Sequence, residues 1–296
     1  MILNTRIEGK TLDNERALYG LKNTSVANCT FAGPADGESA LKECREINVE
    51  RCSFSLRYPL WHAQGFSVAS CNMDEKTRAA LWYCRDGIIS DSKLGGIKAL
   101  RECDRICLEN CKIVSPEFGW RCRGVVAEGC EVESEYFMFE SKKLYLKDVK
   151  FTGKYSFQYV KNAIIENCDF STKDAFWHSK NITVKNTVLR GEYLGWYSEN
   201  LTLENCLIIG TQPLCYCKNL KLINCRTEGC DLAFEYSDVH ATIEGSVLSV
   251  KNPKSGKIIA DGFGEVIFAD NNIPCRGKVI LRQAADGCTC KSSGQC

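Results

Sequence analysis

Two carboxylates, an imidazole and a phenol recur at regular spacing in the middle of the chain. Glu140, Tyr159 and His178 are separated by 19 residues each, and Asp174 lies four residues before His178. Such a set has two uses in polymer chemistry. In inverting glycoside hydrolysis Asp174 and Glu140 would divide acid and base duties, which needs carboxyls roughly 6.5 to 9.5 Å apart. In a polysaccharide lyase His178 or Tyr159 would take the proton α to a uronate carboxylate, and a cation would hold the resulting anion. Arg121 and Arg101 are the nearest cations in these columns, several repeats away. Tyr136, Tyr155, Trp177, Tyr193, Trp196 and Tyr197 would wall a saccharide groove, because Tyr and Trp join a large apolar surface to a polar tip.

The elements that position these residues follow from the repeat. The position of Thr187 recurs as Cys29, Cys52, Cys71, Ser92, Cys111, Cys130, Val149, Cys168, Thr187, Cys206 and Cys225, with steps of 23, 19 and 21 and then 19 throughout. Each unit holds two short apolar runs of period two, such as Ile182 and Val184, then Thr187 and Leu189. Period two with β-branched residues means strand, and two helices with their turns do not fit in 19 residues. The expectation is an all-β, single-stranded right-handed parallel β-helix, with equivalent residues of successive coils about 4.8 Å apart. A leucine-rich-repeat solenoid is the rival. It fits less well, because in Leu201–Cys206 the Asn follows the second Leu by two residues rather than three and no helical turn completes the unit.

Two columns, through Val184 and through Leu189, read as core. The column Asn28, Asn110, Asn167, Asn186, Asn205 and Asn224 reads as a turn ladder whose side chains serve backbone groups or the next amide. One β-helix domain spans 1–296, divided into an N-terminal cap (1–17), coils (18–250), closing strands (251–286) and a Cys-rich flexible tail (287–296).

The twenty cysteines do not argue for a secreted disulfide scaffold. Eight share the Thr187 column with Thr and Val, and five (44, 84, 103, 122, 217) exchange with Ala, Ser and Val in another, which is small-residue packing of reduced thiols. In the tail, Cys288, Cys290 and Cys296 are the exception, three thiols that fall short of a closed tetrahedral metal site.

Formal charge is +1, from 38 basic and 37 acidic residues, so neither nucleic acid nor an anionic membrane is an expected partner. No signal-peptide pattern opens the chain and no apolar run approaches membrane-spanning length, from which cytoplasmic residence is expected. No metal is expected either. His62 and His178 lie six coils apart, about 29 Å in a straight stack, and Glu117, Asp174 and Asp231 are three coils from one another, about 14 Å, too far to share calcium. The glycines form no phosphate loop, so no cofactor is expected.

Four phrases carry a resemblance: Glu15–Gly20, Gly33–Glu43, Gly96–Glu102 and Asp174–Ser179. Over about residues 4 to 270 the chain resembles the uncharacterised bacterial DUF3737 family, which in turn resembles pectin-lyase-like right-handed β-helix proteins. The resemblance implies the fold and no activity. The tail beyond residue 285 departs from the pattern.

Function is therefore sought in columns that are neither core nor turn. The adjacent pair typified by Trp61-His62, Trp82-Tyr83, Trp120-Arg121, Phe139-Glu140, Trp177-His178 and Trp196-Tyr197 should send its members to opposite sides of a strand. Three residues upstream of the Trp column stand Tyr58, Lys98, Glu117, Tyr136, Tyr155, Asp174, Tyr193, Gln212 and Asp231, all polar. Together they predict a groove crossing the strands, and a noncatalytic glycan- or protein-binding scaffold with an aromatic-polar face. A carbohydrate-active lyase or hydrolase centred on Asp174 and His178 is the alternative.

Overall fold

One coil shows how the sequence builds the stack. Lys161–Glu166 is a strand whose Ala163 and Ile165 point inward; Asn167, at φ 56°, turns the corner, and Asp169–Lys173 is a second strand with Phe170 and Thr172 buried. The chain then passes through Asp174, Phe176 and His178, all at positive φ, and enters the next coil at Lys180–Lys185. Corners are needed because a period-two strand cannot close a 19-residue loop. A single left-handed residue swings the backbone without interrupting the stacking hydrogen bonds.

The computed structural model describes residues 4–269 and 272–283, and the Cys-rich tail expected at 287–296 lies outside them. It is an all-β parallel β-solenoid of about fourteen turns. One sheet collects 26 parallel strands, with a three-stranded sheet at Leu60–Trp61, Leu81–Trp82 and Leu100–Arg101 and a two-stranded one near the C-terminal end. No helix occurs among the described residues, which removes the leucine-rich-repeat rival. No helix there is long and apolar enough to cross a membrane.

Register runs coil on coil: Ile165 pairs with Val184, Val184 with Leu203, Phe170 with Leu189 and Leu189 with Ile208, with shifts between Thr152 and Tyr155 and between Leu222 and Cys225. Both expected core columns are buried along their length, and Phe118 and Phe137 in one further column with Phe157 and Phe176 in the adjacent one fill the corner beside the site. Stacking begins before the first regular repeat. Thr5–Glu8 pairs with Thr24–Ala27 and Thr11–Leu12 with Thr30–Phe31, so part of the first 17 residues is itself a coil. At the other end Lys278–Leu281 pairs with Lys257–Ala260.

The thiols of both Cys columns are buried, and their sulfurs lie against carbonyl oxygens of their own or the preceding coil, as Cys111 does at Ile89 (3.5 Å) and Cys217 at Gly195 (3.0 Å). Side-chain ladders join Asn167, Asn186 and Asn205 at 3.2 and 3.3 Å. A second, tighter ladder runs through Asn162, Asn181, Asn200 and Asn219 at 2.8 to 3.0 Å.

Candidate functional site

The paired columns sit at a corner rather than on a flat strand, and this decides which member faces water. Ten successive coils place Glu43, His62, Tyr83, Glu102, Arg121, Glu140, Tyr159, His178, Tyr197 and Tyr216 at φ between 51° and 61°. The left-handed turn throws these side chains outward. Tyr83, Tyr159 and Tyr197 are about two-fifths exposed, while the Trp column is half-buried except at Trp177. A bulky residue in this region costs roughly 1–2 kcal/mol. Asn167, Asn186 and Asn205 take the same conformation with Asn, while Met138, Phe157 and Phe176 take it with buried side chains that pack the core.

Stacking offsets part of that cost. The His178 ring lies 5.4 Å from Tyr159 at 8° and 5.0 Å from Tyr197 at 10°; Tyr197 stacks on Tyr216 at 4.7 Å, and Tyr236 extends the file at 5.6 Å. Such pairs contribute about 0.5–1.5 kcal/mol each beyond burial. The rings therefore spend their faces on one another and offer a partner their edges, hydroxyls and ring nitrogens. Trp61 and Trp82 are likewise stacked, at 5.3 Å, with Lys42 over one indole and Arg101 over the other. The Trp column thus offers no continuous open strip of indole faces, and Trp177 is its exposed indole.

Of the predicted catalytic residues, Tyr159 and His178 are in contact. Glu140 is held by Arg121, whose Nε donates to Oε2 at 2.7 Å. Asp174 is half-buried; loss of water raises its carboxyl above the ordinary value against the opposing charge of Lys173, with Glu192 adding to the rise. Among the described residues no hydrogen bond or ion pair joins Asp174 to His178 or Glu140, and no group of three or more His, Cys, Asp or Glu is placed to hold a metal. Tyr136 and Tyr155 pack at 4.8 Å, and Tyr193 packs edge-on against Trp196 at 5.1 Å. These lie on the Trp side of the corner, whereas Tyr159, His178 and Tyr197 form its outward file.

A second column went unread in the sequence. Two residues beyond the exposed file, Arg45, Gln64, Arg85, Asp104, Arg123, Lys142, Lys161, Lys180 and Glu199 pair in register along successive strands. The two files line the same clefts. One, of about 650 Å³, is bordered by Tyr197, Tyr216 and Tyr236 opposite Glu199, Lys218, Asp238 and Lys254, with Asn200 and Asn219 in its lining. The other, of about 230 Å³, has Glu43, His62, Tyr83 and Glu102 opposite Arg45, Gln64 and Arg85. There burial pushes the Glu102 carboxyl up, but hydrogen bonds from Tyr83 and Trp82 together with the charge of Arg101 leave it below the ordinary value. The 19-residue spacing of 123, 142, 161 and 180 was the available signal for this column, masked because lone lysines on strands read as solvated.

A family model described as "Protein of unknown function (DUF3737)" matches residues 5–280. Among curated proteins none matches. Among solved structures the chain is similar to PfbA, a surface adhesin of Streptococcus pneumoniae, at 7% identity over 84% of this chain and 85% of that one, TM-score 0.40. It is similar also to the A-module of the mannuronan C-5 epimerase AlgE6 of Azotobacter vinelandii, at 11% identity over 94% and 90%, TM-score 0.33. At those identities and scores the likenesses carry nothing about function.

Proposed function

The chain belongs to the DUF3737 family, and from the geometry of its exposed corner we propose that it is a noncatalytic β-helix scaffold that binds a linear glycan lying parallel to the solenoid axis. The observation that carries this reading is the ten-coil file of left-handed residues from Glu43 to Tyr216, none of them Gly, Asn or Asp. A position that disfavours large side chains yet holds Tyr, His, Arg and Glu in every coil is explained by what those side chains do outside the fold. The clefts at its two ends, lined by the same two files, support one extended surface. A polymer with regularly placed hydroxyls meets a new set of polar tips about every 4.8 Å.

The reading is tested by isothermal titration against a panel of linear polysaccharides, with each mixture also assayed for new reducing ends and for unsaturated products. Saturable binding without product is the expected result; binding only to a protein partner, or steady product release, overturns it. One observation favours the catalytic alternative, the raised carboxyl of Asp174 four residues from His178. An acid whose ionisation is disfavoured by burial is the form a general acid requires.

A further inference from the structure

The file opposite the rings names a chemistry. Arg123, Lys142, Lys161 and Lys180 stand on four consecutive rungs, each paired directly with the next, and all four are exposed. Like charges facing each other across neighbouring strands are unfavourable; other columns hold them only as single steps, Lys93 with Lys112, Glu109 with Glu128 and Lys257 with Lys278, and many other rungs set opposite signs together. Lys147 meets Glu128 at 2.6 Å and Lys154 meets Glu135 at 3.3 Å, each exactly one coil away in sequence spacing. In the cation file only Lys180 has such a partner, Glu199 at 2.7 Å; among the described residues Arg123, Lys142 and Lys161 form no ion pair. The acid nearest them in the ring file, Glu140, is already engaged by Arg121.

We infer that the partner is an acidic linear glycan whose carboxylate or sulfate groups sit on Arg123, Lys142 and Lys161 while its hydroxyls meet the edges of Tyr159, His178 and Tyr197. This rests on the proposed glycan-binding function and adds its charge. The net charge of the whole chain is +1, so the cations act as a local strip rather than a general field. Repeating anions along the axis relieve the repulsion between successive rungs, which one isolated anion does not. A single-stranded nucleic acid is the other polyanion of this shape. It binds largely by stacking bases on free aromatic faces, and here the faces of Tyr159, His178 and Tyr197 are covered by one another.

The experiment measures binding of the full chain to polygalacturonate, dextran sulfate, neutral dextran and an oligo-dT strand at low and high salt. It uses the wild type, K142E/K161E, the milder K142Q/K161Q, and K150E, which reverses an exposed lysine on a different strand of the coil. Circular dichroism and thermal unfolding establish that each variant is folded. Expected are saturable binding of polygalacturonate or dextran sulfate that weakens with salt, a loss of about tenfold or more in K142E/K161E, a smaller loss in K142Q/K161Q, and no change in K150E. The two acidic polymers distinguish carboxylate from sulfate. Equal binding of neutral dextran, or indifference to both double variants, overturns the acidic assignment while leaving glycan binding in place. Preference for oligo-dT overturns the assignment of a glycan, and failure of every polymer to bind overturns the proposed function together with this inference.

Discussion

Replacing Asn181 separates the two tasks of a ladder residue. Its side chain donates to Asn162 at 3.0 Å, accepts from Asn200 at 2.8 Å, and its backbone sits at φ 57°. Asn181→Ala deletes both hydrogen bonds, each worth about 0.5 kcal/mol at an exposed position, the lower end of the usual range. It also places a Cβ without local hydrogen bonding in the left-handed region, at roughly 1–2 kcal/mol. The sum is about 2–3 kcal/mol. Asn181→Gly loses the same bonds but escapes the steric cost, adding only the extra freedom of glycine in the unfolded chain, about 0.5–1 kcal/mol. Gly is therefore expected to be the less damaging by about 0.5–1 kcal/mol, and the fold itself places Gly65 and Gly124 in this column, at φ 64° and 66°. Urea unfolding followed by far-ultraviolet circular dichroism, with unchanged m-values as the control, reads both differences. If Ala and Gly are indistinguishable, or neither exceeds about 0.5 kcal/mol, the conformational account of these ladders is wrong.

Two further outcomes are expected. Burial pushes the Cys217 thiol from 9.0 to about 11; the unfolded chain then loses its proton first, so stability is complete below pH 9 and falls between pH 9 and about 11 by about 1 kcal/mol per pH unit for such a thiol. Comparing Cys217→Ser with wild type by denaturant unfolding at pH 8 and 10.5 checks it, and equal pH dependence in the two proteins refutes it. If a turnover substrate is found, Asp174→Asn should keep the fold and reduce the rate at least about tenfold, near 1.4 kcal/mol in transition-state free energy. Full turnover in that variant places the chemistry elsewhere, with the Glu43, His62, Tyr83 and Glu102 cleft next in order.

The β-helix was legible because 19-residue spacing converts substitution along the sequence into substitution along a stack: Cys, Thr and Val exchange at 168, 187 and 149 since they occupy one buried niche. The orientation of the Trp and His columns was not legible. Alternation holds for an extended strand, and the inference of opposite faces assumed one; at Trp177-His178 the second residue is left-handed, so sequence period and side-chain direction part company. The Asn ladder through 162, 181, 200 and 219 carries the same spacing as the one that was read, but it falls inside the segment taken as strand. The cation file was overlooked for a different reason. A single Lys on a strand is unremarkable, and only pairing register shows that four cations lie on adjoining rungs.

That register has a consequence for how such a surface recognises a partner. Each coil contributes one residue to the ring file and one to the opposing file, so the groove is composed rung by rung: His62 and Gln64, Tyr159 and Lys161, Tyr216 and Lys218. Neighbouring coils share stacking contacts, yet coils several rungs apart share none, which leaves their contributions to binding close to independent. A shortened polymer should then lose affinity in steps as it vacates rungs, rather than all at once as from an enclosed pocket. The chemistry also changes along the axis, from carboxylates facing Arg45 and Arg85 near one end, through the unpaired Lys142 and Lys161, to the Tyr197, Tyr216 and Tyr236 stack at the other. A repeating polyanion is therefore expected to settle on the central rungs, where Lys142 and Lys161 have no acidic partner, and to avoid the end where Glu43 and Glu102 line the cleft.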